Sequence, residues 1–328
     1  MHVLHAANGR YAVRLAVGFG TADGAPLAGE LFLYQKIEQL SASTTPGTAA
    51  NELLCTLEDT AAGLTVGWWP LRINPEGHAV SLDQAPFGGP YLLDTEVPLA
   101  VLREWVTVTE QELSRRGATQ LTVRLPALAY APAAGARVAE ALRRHGYQVA
   151  LAEVDNYLPL DRPFEPWLHP SERRRLHKCL RHGFRFEQEP RYLLPQAYAF
   201  LKRCREEKGQ ALSLTEDQVN DLFVRFPDHY FLFSVRDAAG DWAALTIAVL
   251  VGNGVLYNFY PASPLNLNSF SPVVLLNAGL HAFGQASGLR LLDLGTSTLP
   301  SGLNESLLRF KRHLGGVPGL KLTLNHQL

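Results

Sequence analysis

Asp293 sits in a short apolar run, Leu291-Leu292-Asp293-Leu294, that reads as the end of a buried strand. A polar loop, Gly295-Thr296-Ser297, follows, and then a segment carrying Arg309, Lys311 and Arg312 that stops at Gly315-Gly316. A carboxylate leaving a buried strand beside a cationic helix can move protons and hold anions. Desolvation would raise the pKa of Asp293 and make it a general base. The same carboxylate can instead accept the loop amides of 295–297 in an Asx turn, and the residues alone leave both roles open. Tyr257 and Tyr260 are three apart in a strand-like run, so they face opposite sides and only one reaches a shared site.

Two further groups have the right types to hold anions. Asn268 and Ser271 stand in the loop before a helix, where backbone amides attract phosphate; ordinary capping by Ser271 explains them equally well. A helix over 171–183 is dense in Arg, Lys and His. Its Arg175, Lys178 and Arg181 are candidates for a phosphorylated ligand, against the reading of a solvated face. The histidines form no metal-binding spacing, and no metal site is expected. Cys55, Cys179 and Cys204 are far apart and lie in no Cys/His setting, so they read as structural thiols.

The elements that must position these residues come in two similar runs. Strands are expected over 11–19, 53–57, 64–73 and 78–82, with a Ser/Thr-rich loop over 41–51. Trp68 and Trp69, adjacent on a strand, should point one inward and one outward. PFGGP at 86–90 is a tight turn or a close backbone approach to a ligand. A helix over 97–116, a strand over 120–125, a helix over 134–145 and paired strands over 147–150 and 155–160 complete the first run. Clustered prolines at 163, 166 and 170 mark a boundary, giving domains over 1–162 and 163–328. The second run reads helix, strand, two helices, three strands, helix, strand 289–294, helix 304–313 and a last strand near 320–324. The resulting class is α/β (α+β), with mixed, mostly antiparallel sheets flanked by helices.

Hydrophobic residues make up 47% and charged residues 19% of the 328, enough apolar mass for sizeable cores. The formal net charge of -1 argues against a protein devoted to nucleic acid or to a membrane surface. No apolar stretch approaches a membrane span, and the first twenty residues do not read as a signal peptide, so a cytoplasmic protein is expected.

The element order carries six local patterns: PFGGP at 86–90, GYQVALAEVDNYLPL at 146–160, RRRLHKCLRHGF at 173–184, VLYNFYPAS at 255–263, GLRLLDLGTS at 288–297 and LLRFKRHLGG at 307–316. Together they resemble the GNAT acyltransferase (acyl-CoA N-acyltransferase) fold in its tandem form. The chain looks like the Fem family of peptidoglycan-bridge aminoacyltransferases and the acetyltransferase-like proteins related to it. The resemblance implies transfer of an acyl or aminoacyl group to an amine, with acyl-CoA or aminoacyl-tRNA as donor and a small-molecule or nucleotide-linked substrate. It places a functional lysine, Lys311, in the Phe-Lys helix near phosphate or a developing oxyanion, with Arg309 as a weaker phosphate contact. An enzyme of this kind would group Lys311 with the residues singled out above, Asp293 and one of Tyr257 or Tyr260.

The sequence departs from the pattern in two places. No segment reads as the long helical hairpin that some Fem enzymes use for tRNA. No basic or amide residue followed by Gly-x-Gly or Gly-x-Ala marks a donor phosphate site; RHGFRF at 181–186 is the nearest stretch. The second departure favours an alternative, a catalytically inactive GNAT-fold binding protein for a phosphorylated or nucleotide-linked ligand. The oligomeric state is not legible in the sequence.

Overall fold

The computed structural model describes residues 2–5, 9–19, 24–42, 49–82, 85–299 and 301–328. The loop over 41–51 therefore lies mostly outside the described residues. The chain divides into two compact units, Met1–Glu153 with Gly319–Leu328, and Val154–Pro318. The division falls nine residues before the expected 162/163 boundary, and the last ten residues return to the first unit. The reason is strand pairing: the C-terminal residues Thr323 to Gln327 pair with Gln120 to Arg124.

The first unit contains β1 (His2–Val3), β2 (Tyr11–Val17), α1 (Ile37–Ala42), β3 (Glu52–Asp59), β4 (Leu64–Ile73), β5 (His78–Val80), β6 (Tyr91–Leu92), α2 (Leu99–Arg115), β7 (Gln120–Arg124) and α3 (Pro132–Arg144). Its sheet runs β1-β2-β3-β4-β5-β7, with β6 on β4, and is antiparallel except where β5 meets β7. Every residue of β3 is buried, which requires cover on both faces. Trp68 and Trp69 do point to opposite faces, yet both are buried, at 5% and 0% exposure. The Trp68 indole donates to the Gln35 carbonyl, while Trp69 packs edge-on against Trp105 of α2. In the 86–90 loop, the amides of Gly88 and Gly89 both donate to the Arg124 carbonyl. A Cβ on Gly88 would lie 2.2 Å from the Ser81 carbonyl oxygen, so the pair is required by close packing.

β8 (Gln148–Pro159) is one twelve-residue strand, where two paired strands were expected. Leu151-Ala152-Glu153-Val154 contains no turn-forming residue, and nothing there reverses the chain.

The second unit continues with α4 (Pro170–Arg181), β9 (Arg185–Glu189), α5 (Leu194–Glu206), α6 (Glu216–Arg225), β10 (Tyr230–Arg236), β11 (Trp242–Gly252), β12 (Val255–Asn258), α7 (Val273–Ala286), β13 (Leu291–Thr296), a short hairpin of β14 (Thr298–Leu299) and β15 (Gly302–Leu303), and α8 (Glu305–His313). The final strand is β16 (Val317–Gln327), longer than the expected 320–324. The second sheet runs β8-β13-β12-β11-β10-β9, with β12 and β13 parallel. α7 is apolar on nearly every face and buries Val274, Leu275, Leu276 and Leu280 in the core over this sheet. α6 begins with a capping box between Thr215 and Gln218.

Gly279 of α7 lies against the Phe186 ring, where a Cβ would come within 2.1 Å of ring carbons. Replacing an interior helical glycine by alanine ordinarily gains up to ~1 kcal/mol. Here Gly279→Ala should instead cost about 1–3 kcal/mol through overpacking, read as a lower urea midpoint; a stabilised variant would show that the helix moves off the sheet freely.

Candidate active site

β12 and β13 pair in parallel through Val255 with Leu291, Leu256 with Leu292 and Tyr257 with Asp293. Beyond that point they part. The chain after Asn258 follows β11, with the amides of Phe259 and Tyr260 both donating to the Ile247 carbonyl. β13 bulges at Gly295, which has φ +73°, and then pairs Thr296 with Asp155 of β8. Separated strands leave backbone groups that need other partners.

Lys311 supplies one. Its ammonium donates to the carbonyls of Gly295 and Thr296, each at 2.7 Å, and the residue is 5% exposed. α8 aims it inward because Leu307, Leu308, Lys311 and Leu314 form one stripe at helical spacing. Asn304 caps the helix by accepting from the Leu307 amide at 3.0 Å. The Gly315-Gly316 stop is also positional. Gly315 has φ +84°, and a Cβ on Gly316 would sit 2.6 Å from the Lys311 carbonyl oxygen.

Two buried carboxylates share this neighbourhood, Asp155 at 1% and Asp293 at 4% exposure. Asp293 Oδ1 accepts from the Gly295 amide at 2.6 Å. That bond is the loop-holding contact that the sequence offered as one of two roles. Burial pulls the Lys311 pKa down to about 8, and Asp293 and Asp155 act against it. Burial raises the Tyr257 pKa, and the same two carboxylates raise it further, so the phenol keeps its proton at neutral pH.

Tyr260 lies just beyond β12 and is buried. Its hydroxyl meets Ser213 Oγ and accepts from the Leu214 amide at 3.1 Å, which ties the loop before α6 to the end of β12. Arg205, at the end of α5, was not singled out from the sequence. Its guanidinium donates to Gln210 Oε1 at 2.9 Å and to the Pro261 carbonyl at 3.5 Å, and its Nε is buried without a hydrogen-bond partner. Burial lowers its pKa, and the Tyr260 and Tyr257 phenols are the nearby groups that counter this. Among the described residues Arg205 has no carboxylate at ion-pairing distance, a setting suited to an incoming anion.

The structure thus brings Lys311, Asp293 and Tyr257 together, adds Asp155, and places Tyr260 alongside Arg205. The other candidates lie elsewhere. Arg175 pairs with Glu172 at 3.0 Å on its own helix. Lys178 donates to the Ser269 carbonyl and sits 4.0 Å over the Phe270 ring, which brings it to the loop holding Asn268 and Ser271. Ser271 adopts φ +51° and makes no side-chain cap; Pro272 occupies the N-cap position of α7. Asn268 is exposed. Arg181 borders a shallow basic depression with Arg174, His177 and Leu180. Arg309 is exposed on α8.

All three cysteines are free and buried. Burial pushes Cys179 up to about 11 and Cys55 up to about 12, so neither is a thiolate at neutral pH. Among the described residues no group of three or more His, Cys, Asp or Glu is placed to hold a metal. No described helix is long and apolar enough to cross a membrane.

No protein-family model matches the sequence, and no curated protein matches it. Solved structures do. A tandem GNAT protein from the clavulanic acid biosynthesis pathway aligns over 96% of this chain and 98% of its own, with TM-score 0.54 and 12% identity. The chain has the tandem GNAT fold. FemX aligns with TM-score 0.64 over 84% of this chain and 88% of its own, at 12% identity. L-PGS from Bacillus licheniformis aligns with TM-score 0.53 over 84% and 81%, also at 12% identity. Within this fold, the parting of β12 and β13 and the buried ammonium beside it are features of the second GNAT unit.

The depressed Lys311 pKa carries a sign that can be checked. The folded state holds this proton up to about 8, whereas the unfolded chain holds it to ~10.4. Between those values the unfolded state binds more protons, so this group's contribution to stability rises with pH. Against Lys311→Met, which does not titrate, the wild type should gain on the order of 2–3 kcal/mol in relative unfolding free energy between pH 7.5 and 10.5. A difference that stays flat over that range would mean a lysine of ordinary pKa.

Proposed function

We propose that the chain is an N-acyltransferase and that its second unit carries the reaction. The observation behind this reading is the buried Lys311 ammonium, fixed by two carbonyls where β12 and β13 part, beside Asp155, Asp293 and Tyr257. An ammonium has three donors, and Gly295 and Thr296 take two. The third is directed to the oxygen of an acyl group entering between the strands. The attacking amine forms the new C–N bond, and the carbonyl electron pair moves onto that oxygen beside Lys311. Collapse of the intermediate breaks the C–S or C–O bond to the donor. The amine proton passes to Asp155 or Asp293, the Tyr257 phenol, held protonated, supplies a proton to the leaving thiolate or alkoxide, and the carboxylic acid then returns its proton to Tyr257. Arg205 holds an anionic part of a substrate beside Tyr260. Electrostatic preorganisation of this kind needs no covalent enzyme intermediate. The resemblance to FemX and to the tandem GNAT protein supports transfer to an amine, with aminoacyl-tRNA and acyl-CoA as the donor classes to test.

Purified protein incubated with acyl-CoA thioesters or aminoacyl-tRNA and a panel of amines, including amino acids and nucleotide-linked amines, should yield N-acyl products by mass spectrometry. Lys311→Met should lower kcat by roughly 10²–10³-fold, the loss typical of one oxyanion donor, without loss of the folded state. Turnover should fall as pH rises through about 8, where Lys311 loses its proton. No product from either donor class, with phosphorylated ligands nonetheless bound, would leave a binding protein in place of an enzyme. Arg205→Gln should raise KM for acceptors bearing a carboxylate or phosphate by about tenfold, the scale of one charge-assisted contact, and change KM little for uncharged amines.

A further inference from the structure

The first unit contains a cavity of about 520 Å³ that the chemistry above does not use. Its floor is one face of the sheet. Arg14, Thr56 and Trp68 stand in register across β2, β3 and β4, with Ala16 opposite Leu54 in the next row. Leu31, Lys36 and Ile37 form a second wall. The segment from Gly24 to Gly29 forms a third, anchored on Thr65 through the Thr65 amide to the Pro26 carbonyl, the Ala28 amide to the Thr65 carbonyl, and the Thr65 hydroxyl to the Ala25 carbonyl. The volume lies in the range of small-molecule sites, and most of the lining is apolar.

The charges of the lining point to the kind of occupant. Among the described residues Lys36 has one ion pair, to Glu30 at 3.7 Å, beyond hydrogen-bond distance. Arg14, Lys36, Glu30 and Glu38 all line the cavity, and the two cations are less exposed than Glu30, with side-chain exposures of 39% for Arg14 and 29% for Lys36 against 59%. Glu38 is also exposed. Glu58 holds Arg14 in place through a 2.7 Å bond to Nε.

We infer that this cavity binds a small apolar carboxylic acid, with its body on Ala16, Leu31, Leu54 and Trp68 and its carboxylate against Lys36 and Arg14. All of the lining belongs to the first unit, so the site is separate from the residues assigned to acyl transfer. Isothermal titration of the full chain with octanoate and hydrocinnamate, and with their primary amides, tests it. Each acid should bind with a Kd at or below ~1 mM, and its amide at least ~tenfold more weakly, as loss of a charge-assisted contact requires. Lys36→Gln, a change at the cavity mouth, should erase most of the difference between acid and amide. Ala16→Phe, which fills the floor, should abolish binding at an unchanged melting temperature, and Lys311→Met should bind as the wild type does. Absence of binding by both acids, equal binding of acid and amide, or an undiminished acid preference in Lys36→Gln would overturn the assignment. Should Ala16→Phe fail to fold, the Lys36→Gln comparison decides alone.

Discussion

A buried ammonium holds the second unit's site together. Placing Lys311 in the interior is unfavourable unless its donors are met, and two backbone carbonyls at 2.7 Å meet two of the three. Those carbonyls are available only because β13 leaves β12 after Asp293 and bulges at Gly295. The bulge is in turn held by Asp293 Oδ1 on the Gly295 amide. The carboxylate shapes the loop, the loop presents the carbonyls, and the carbonyls fix the cation. Removing any one of the three leaves a buried polar group without its partner.

The helix carrying the cation is constrained just as tightly. Gly316 must lack a side chain because the Lys311 carbonyl lies where a Cβ would go, and Gly315 must reach φ +84° beside Trp167. Arg162 stacks on that Trp167 ring at 3.9 Å and donates to the Gly315 carbonyl, closing the turn from the other side. On α5, Arg205 is held at the far end of the same region by Gln210 and the Pro261 carbonyl. A positive group with no carboxylate at ion-pairing distance among the described residues is suited to hold an anion. In the proposed reaction Lys311 and Arg205 divide the work, one at the reacting carbonyl and one at a remote anionic group.

Much of this was legible in the chain, and the exceptions have physical causes. The tandem GNAT fold followed from element order and six local patterns, because apolar periodicity and Gly stops are local properties. Lys311 was singled out only through the family resemblance; the apolar stripe it shares with Leu307, Leu308 and Leu314 is the local signal that could have shown its inward aim. Asp155 was not. It joins the site only because β8 pairs with β13, and no local signal announces a pairing between residues so far apart. Arg205 ends a helix whose sequence looks solvated, and its bond to the Pro261 carbonyl joins residues 56 positions apart, which no local pattern announces. Trp68 and Trp69 alternate as a strand requires, but alternation cannot say whether both faces of a sheet are covered. β8 was divided in error because two predicted strands were assumed to need a turn that residues 151–154 do not supply.

The proposed reaction turns on a charged, desolvated Lys311 that faces the acyl group. Heteronuclear NMR of the lysine side chains, assigned with Lys311→Met, reads this directly by titration with and without an unreactive donor analogue that keeps the carbonyl. Lys311 should titrate at about 8 in the free protein, with a changed resonance and pKa when the analogue binds. A Lys311 that titrates near ~10.4, the value of a solvated lysine, and does not respond to any analogue that binds would contradict it.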